Sequence, residues 1–223
     1  NILLESINFI FYPIVWVMEK ILSIFSSFIP STGISILLLS LTFSIIALPL
    51  QNKFKKIELR INNKIKLIDI DVKKIDKKLK GEERFLAIDR IYKKNNYHPI
   101  HSMGAGASFF VLIPIFISSI LMLTQNEALE SVSFLLISDL SHPDKLFFNI
   151  NILPIIMFVI TFIDSRLRFK NNFNAQLRFS IISVIMLFLV YALPAGVVLY
   201  WIGNNIFSLI ISIKDTEHSF LSK

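Results

Sequence analysis

Apolar residues fill long uninterrupted stretches of this chain, and the polar ones are gathered between them. A helix that crosses about 30 Å of hydrocarbon needs about 20 mostly apolar residues. Five stretches meet that need, some with the help of polar flanks: 33–50, 103–123, 150–164, 178–193 and 195–213. An earlier stretch, 7–29, is apolar but carries Glu19 and Lys20 in its middle. It reads as an amphipathic helix lying in the membrane interface, anchored by Tyr12 and Trp16; a sixth span is the alternative. The pattern predicts an all-α polytopic membrane protein with a single membrane domain over residues 1–223.

Between the first two stretches the pattern changes. Phe54, Ile57, Ile61, Ile65, Ile68, Val72, Ile75 and Leu79 recur at spacings of three and four, one apolar stripe on an otherwise charged helix. Gly81 interrupts it. A second arm with Phe85, Ile88, Ile91 and Tyr92 runs until Asn95-Asn96 and Pro99 end it. Two such arms can bury their stripes against each other, so 51–98 is expected to be a helical hairpin. Around Pro194-Ala195-Gly196 there is room only for a tight turn, which makes the last two spans an antiparallel pair.

Composition strengthens the membrane reading. Of 223 residues 54% are hydrophobic and 21 are Phe, and the mean hydropathy is +0.64, whereas soluble chains run nearer 45–50% apolar. The net charge of +7 would suit nucleic acid, but 15 of the 23 basic residues lie in 51–98. Arg166, Arg168, Lys170 and Arg178 follow in the next connection of that side, and Lys214 and Lys223 in the tail. Only Lys20 and Lys145 are left for the other side, beside Glu5, Glu19, Glu127, Glu130, Asp139 and Asp144. Positive charge stays in the cytoplasm, so the N-terminus is expected outside and the hairpin and C-terminus inside. Nucleic acid is not an expected partner. No cysteine occurs, which excludes disulfides and thiolate metal sites. The first residue is Asn1, so a signal or a further domain upstream stays open.

Candidate chemistry is sparse. His98 and His101 are the only histidines close in sequence, and without a carboxylate at ligand spacing they make a poor zinc site; His142 and His218 stand alone. Gly104-Ala105-Gly106-Ala107-Ser108 lacks the Gly-Lys-Ser/Thr ending of a phosphate-binding loop. Neither catalytic residue, metal nor cofactor is expected. More informative are the polar residues within the spans, which are costly at membrane depth unless paired or hydrated. Ser40, Ser44 and Gln51 share a face of the first span with Ala47; Thr161, Asp164, Ser165 and Arg168 gather near the end of the third; Trp201, Asn204, Asn205, Ser208 and Ser212 form a stripe on the fifth. Ordinary interhelical hydrogen bonds, at about 0.6–2 kcal/mol each, account for the hydroxyls. Paired asparagines, a tryptophan one turn away and an acid in another span make a hydrated cavity the rival account.

Four motifs then carry a resemblance. Leu193-Pro194-Ala195-Gly196-Val197-Val198-Leu199-Tyr200-Trp201-Ile202-Gly203-Asn204-Asn205 is similar to the signature of the last two spans in the YidC/Oxa-type insertases. Ile137-Ser138-Asp139-Leu140-Ser141-His142-Pro143-Asp144 resembles their outer-loop motif, Leu48-Pro49-Leu50 their exit from the first span into a basic hairpin, and Tyr92-Lys93-Lys94 through Pro99 the return into the second span. Order and spacing agree over residues 6–213. The resemblance implies five spans around a hydrophilic groove open to the cytoplasm and to lipid, with no nucleotide hydrolysed. Ser40, Ser44, Gln51, Thr161, Asp164, Tyr200, Trp201, Asn204, Asn205 and Ser208 would line the groove. Client membrane proteins and membrane lipids would be its partners, joined by a translocon or another membrane protein.

Two departures bear on that implication. The family's groove arginine stands five residues before the proline of the Leu-Pro-Leu motif, and that position is Ser44 here. Where the family often has glutamine, this chain has Asp164. A cationic groove would thereby become neutral or acidic, according to whether Arg166 or Arg168 neutralises the acid. The alternative function is a divergent paralogue serving as a dedicated assembly partner of another membrane protein complex.

Overall fold

The computed structural model describes residues 2–97, 111–168 and 173–221. The return segment around Pro99, His98 and His101, the small-residue run 104–108 and the start of the second apolar stretch lie outside the described residues, as do Lys170, Lys223 and the side chains of Arg178 and His218. The described chain is helical: α1 (Ile2–Phe28), α2 (Thr32–Asp76), α3 (Gly81–Lys94), α4 (Leu112–Thr124), a 3-10 turn (Glu127–Leu129), α5 (Ile152–Arg168), α6 (Phe173–Val190) and α7 (Ala195–Leu221). Among the described residues there is no strand, and two isolated bridges close tight turns between α4 and α5. The helices fall into two compact units, Asn1–Ile45 with Pro114–Lys223, and Ile46–Ile113.

In the first unit α7 is the hub. Every residue from Ala195 to Gly203 is buried, which explains why that half of the helix is apolar on all sides while the other half is not. Around it lie Ile36, Leu39 and Phe43 of α2, Met122 and Leu123 of α4, Leu153 and Met157 of α5, and Met18 and Leu22 of α1. The tight turn between α6 and α7 is present, closed by the Leu193 N–H on Val190 O at 3.0 Å. Yet α7 packs most extensively on α5, and α5 in turn on α6. The cause is chemical: α5 supplies the polar partners that the second half of α7 needs. The surface of α6 is instead largely exposed and apolar, with Phe188 and Leu189 among its barest residues. Patches of that extent belong against lipid.

Among the described residues three stretches are long and apolar enough to cross a bilayer: Asn8–Phe28, Thr32–Ile57 and Ala195–Lys214. The described part of α4 and the apolar part of α6 are shorter; α5 has 17 residues, about 25 Å of rise. By length and composition α1 fits a span as well as an interfacial helix. Its Tyr12 and Trp16 are exposed, and the Lys20 ammonium sits 5.8 Å from the centre of the Trp16 ring.

The second unit begins on α2. The sequence suggests an exit from the first span at Leu48-Pro49-Leu50, but α2 runs on as one helix of 45 residues with Pro49 inside it. A proline there removes one amide donor, the one that would bond the carbonyl four residues back. The helical periodicity that resumes at Phe54 keeps the chain helical beyond it. Ile68 is buried, and Phe54, Ile61, Ile65, Val72, Ile75 and Leu79 are half-buried along one stripe. Gly81 sits at φ +62°, where a β-carbon would meet open space, so the turn needs glycine for its backbone angle alone. Across the turn Arg84 Nε donates to Asp76 Oδ1 at 2.6 Å. At the far end Lys64 Nζ reaches Asn96 O at 3.4 Å, which fixes α3 alongside the distal half of α2. Ile88, Ile91 and Tyr92 are half-buried, whereas Phe85 stays exposed.

Candidate functional site

The second half of α7 places Asn204, Ser208 and Ser212 at helical spacings of four, with Asn205 beside them, on a half-buried face. Asn204 Oδ1 accepts a hydrogen bond from Ser44 Oγ of α2 at 2.6 Å. The single proton of that hydroxyl is shared with Ser40 O, 2.8 Å away. Closeness of the two backbones makes this reach possible, because a β-carbon on Gly203 would collide with Ser40 Oγ. One residue on, Asn205 Nδ2 donates to Thr161 Oγ1 of α5 at 3.0 Å.

The acid is the most heavily bonded group. Asp164 Oδ2 accepts from Ser208 Oγ at 2.8 Å and from Arg168 Nη2 at 3.1 Å, and Oδ1 accepts from Ser212 Oγ at 2.5 Å. Arg168 also donates to Ser208 Oγ at 2.5 Å. The acid is 9% exposed, while the arginine side chain, one turn nearer the helix end, is 38% exposed. A carboxylate in an apolar bundle is tolerated when it is paired and hydrogen-bonded, and here it has both. Arg168, not Arg166, is the neutralising cation; Arg166 instead donates to Gln176 at 3.0 Å. The departures at positions 44 and 164 thus leave a cluster whose charges cancel.

Towards the other end of α7 the chemistry is drier. Trp201 Nε1 donates to Ser119 Oγ of α4 at 3.0 Å, and the indole stacks on Phe116. Tyr200 is fully buried in the packed half of α7, one turn before Asn204, which its hydroxyl faces. Gln51 is half-buried on the part of α2 that belongs to the second unit; the cluster of the first unit is built by Ser40, Ser44, Thr161, Asp164, Asn204, Asn205 and Ser208. Ser212 stands on the stripe expected of the fifth span and bonds Asp164, whereas Ser119, one of two adjacent serines in α4, is a partner of Trp201 that the sequence hides.

The loop between α4 and α5 closes the opposite end. Asp139 Oδ1 accepts from the N–H of Ser141 at 2.8 Å and from its hydroxyl at 2.7 Å. These bonds hold the Asp139 carboxyl below its ordinary pKa. Asp144 Oδ2 accepts the N–H groups of Ile152 and Leu153 at 2.6 and 3.3 Å. A carboxylate thereby meets two of the free donors at the start of α5. Asn151 donates through Nδ2 to Tyr191 O at 2.6 Å, and the N–H groups of Ala195 and Gly196 donate to His142 O and Leu140 O at 2.8 and 2.9 Å. Two motifs far apart in sequence are one piece of architecture: carbonyls of one cap the helix that the other begins. A β-carbon on Gly196 would stand 3.2 Å from Leu140 O, so the glycine allows the approach.

Known proteins resemble this chain over most of its length. The model of the family described as 60Kd inner membrane protein matches residues 24–217. A membrane protein insertase YidC of Herminiimonas arsenicoxydans is 31% identical over 211 residues, which cover 88% of this chain and 35% of that protein. One from Janthinobacterium sp. (strain Marseille) is 30% identical over 209 residues, with the same shares. The chain therefore spans about a third of the length of these relatives. Among solved structures it is similar to an active YidC insertase crystal structure with the first transmembrane domain resolved, at a TM-score of 0.57 and 22% identity, covering 92% of this chain and 45% of that one. At that identity the likeness speaks for the fold. The family match takes in most of the helices and all residues of the polar cluster, and this membrane-embedded chain belongs to the 60Kd inner membrane protein family, the YidC/Oxa-type proteins.

Proposed function

We propose that the chain is a membrane protein insertase domain that lets client segments enter the bilayer without nucleotide hydrolysis. The observation that carries this reading is the polar cluster on α2, α5 and α7, set within an otherwise apolar bundle. In this proposal the cluster lines a groove that water enters from the side carrying the basic hairpin. A charged residue at the bilayer centre meets a barrier of about 2.5–3.5 kcal/mol on insertion scales, and a hydrated groove partway across shortens the path over which it acts. Burial of the client's apolar segment, at about 25 cal/mol per Å², drives the transfer. The hairpin faces the cytoplasm and receives clients, the N-terminus lies outside, and α1 braces the bundle from the interface. Because Asp164 and Arg168 neutralise each other, the groove favours clients whose translocated parts are short and carry little net charge. A translocon or another membrane protein would take over longer ones.

The test is insertion in purified vesicles. Liposomes holding the protein should raise protease protection of a one- or two-span client several-fold over empty liposomes. The second reading, a dedicated assembly partner, starts from Ser44 standing where the resemblance places an arginine. No rise in protection for several such clients would count against insertion and favour the second reading.

A further inference from the structure

The connection from α4 to α5 contains two tight turns with bare apolar tips. In the first, the N–H groups of Phe134 and Ile137 each donate to the other's carbonyl at 2.9 Å. In the second, Ile150 donates to Phe147 O at 2.7 Å and Phe147 to Ile150 O at 3.4 Å. Leu135 and Leu136 are 87% and 86% exposed, and Phe148 is 85% exposed. Leu135 and Phe148 also hold φ +52° and +46°, a left-handed conformation in which a large apolar side chain is uncommon and Asn or Gly is preferred. A water-facing turn gains nothing from Leu or Phe at such positions. Charge is missing as well: 131–138 and 146–151 contain no Asp, Glu, Lys or Arg.

The height of both turns is fixed. The Phe134 ring lies against Gly33 at the start of α2, where any β-carbon would overlap it. The second turn runs directly into Asn151, whose bond to Tyr191 O ties it to the end of α6, and Asp144 caps α5 beside it. The tips therefore stand at the level where α2 and α5 begin and α6 ends. The nearby ends of α5 and α6 carry exposed apolar residues of their own, Ile155, Ile156, Phe188 and Leu189.

We propose that these two turns are lipid anchors, whose tips enter the interfacial layer of the leaflet at that end of the bundle. The occupant is bilayer lipid, because the chain belongs to a membrane protein family and the uncharged tips stand at the ends of apolar helices, where an interface would meet them. Apolar side chains held a few ångströms into the interface gain the area they remove from water. They would also hold the α5 cap at a constant depth.

The absence of native cysteine permits a direct test. Single cysteines replacing Leu136 or Phe148 in the full chain are spin-labelled and the protein is placed in phosphatidylglycerol–phosphatidylethanolamine vesicles. Collision with oxygen, which concentrates in lipid, is compared with collision with a water-soluble nickel chelate. Both tips should favour oxygen several-fold, while labels replacing Glu130 and Ser133, exposed in the same connection, should favour nickel. Nickel exceeding oxygen at either tip would place that turn in water and overturn its assignment. Shielding from both reagents would mean that protein, including a second copy of the chain, covers the turn, and would overturn it equally.

Discussion

Asp164 shows how much of the candidate site is decided by single atoms. Its two oxygens satisfy Ser208, Ser212 and Arg168, so removing the carboxylate strips three donors at once. Asp164→Ala is expected to cost about 1–3 kcal/mol. The lower part of that range applies because Arg168 is more than a third exposed and water can solvate it. Asp164→Asn, which keeps an oxygen for the serines, should cost less. Thermal unfolding of the two variants in detergent checks the order. At this scale the sequence was informative wherever a polar residue broke an apolar run: Ser44, Thr161, Asn204 and Asn205 all stand in the cluster for that reason. It was less informative for Ser119, since a serine in an apolar helix does not reveal that a buried indole will need it.

Helix boundaries followed the same logic with less success. The hairpin was legible because period, turn glycine and charge all agree, and Gly81 supplies the positive φ that the turn requires. The exit expected at Leu48-Pro49-Leu50 concerned the span and left the helix open; α2 continues through Pro49, since a long helix tolerates one lost amide bond. Packing of α7 on α5 was hidden too: connectivity suggests neighbours, but side-chain pairing chooses them. The loop motif 137–144 proves to be a capping device, and Asp144 carries it. Asp144→Ala should lower stability by about 1–2 kcal/mol, the range for lost N-terminal caps and helix-dipole partners, with Asp144→Asn recovering part of it. Hydrogen exchange should locate the loosening in the first turn of α5; protection unchanged there would contradict the assigned role.

For the whole molecule the apolar stretches and the asymmetric basic residues were enough to indicate a polytopic helical membrane protein, and four ordered motifs enough to indicate its family. The proposed function rests on the polar cluster that α2, α5 and α7 assemble inside an apolar bundle, and on water reaching it. Cysteine at position 44 or 205, in separate variants of a chain with none of its own, reads this directly in sealed vesicles treated with a membrane-impermeant thiol reagent from the hairpin side. Both should react, more slowly than a control cysteine replacing the exposed Asp69 but well above one replacing the lipid-facing Ile210. Positions 44 and 205 as inert as 210, with the control at 69 fully modified, would contradict a hydrated path and with it the insertion mechanism.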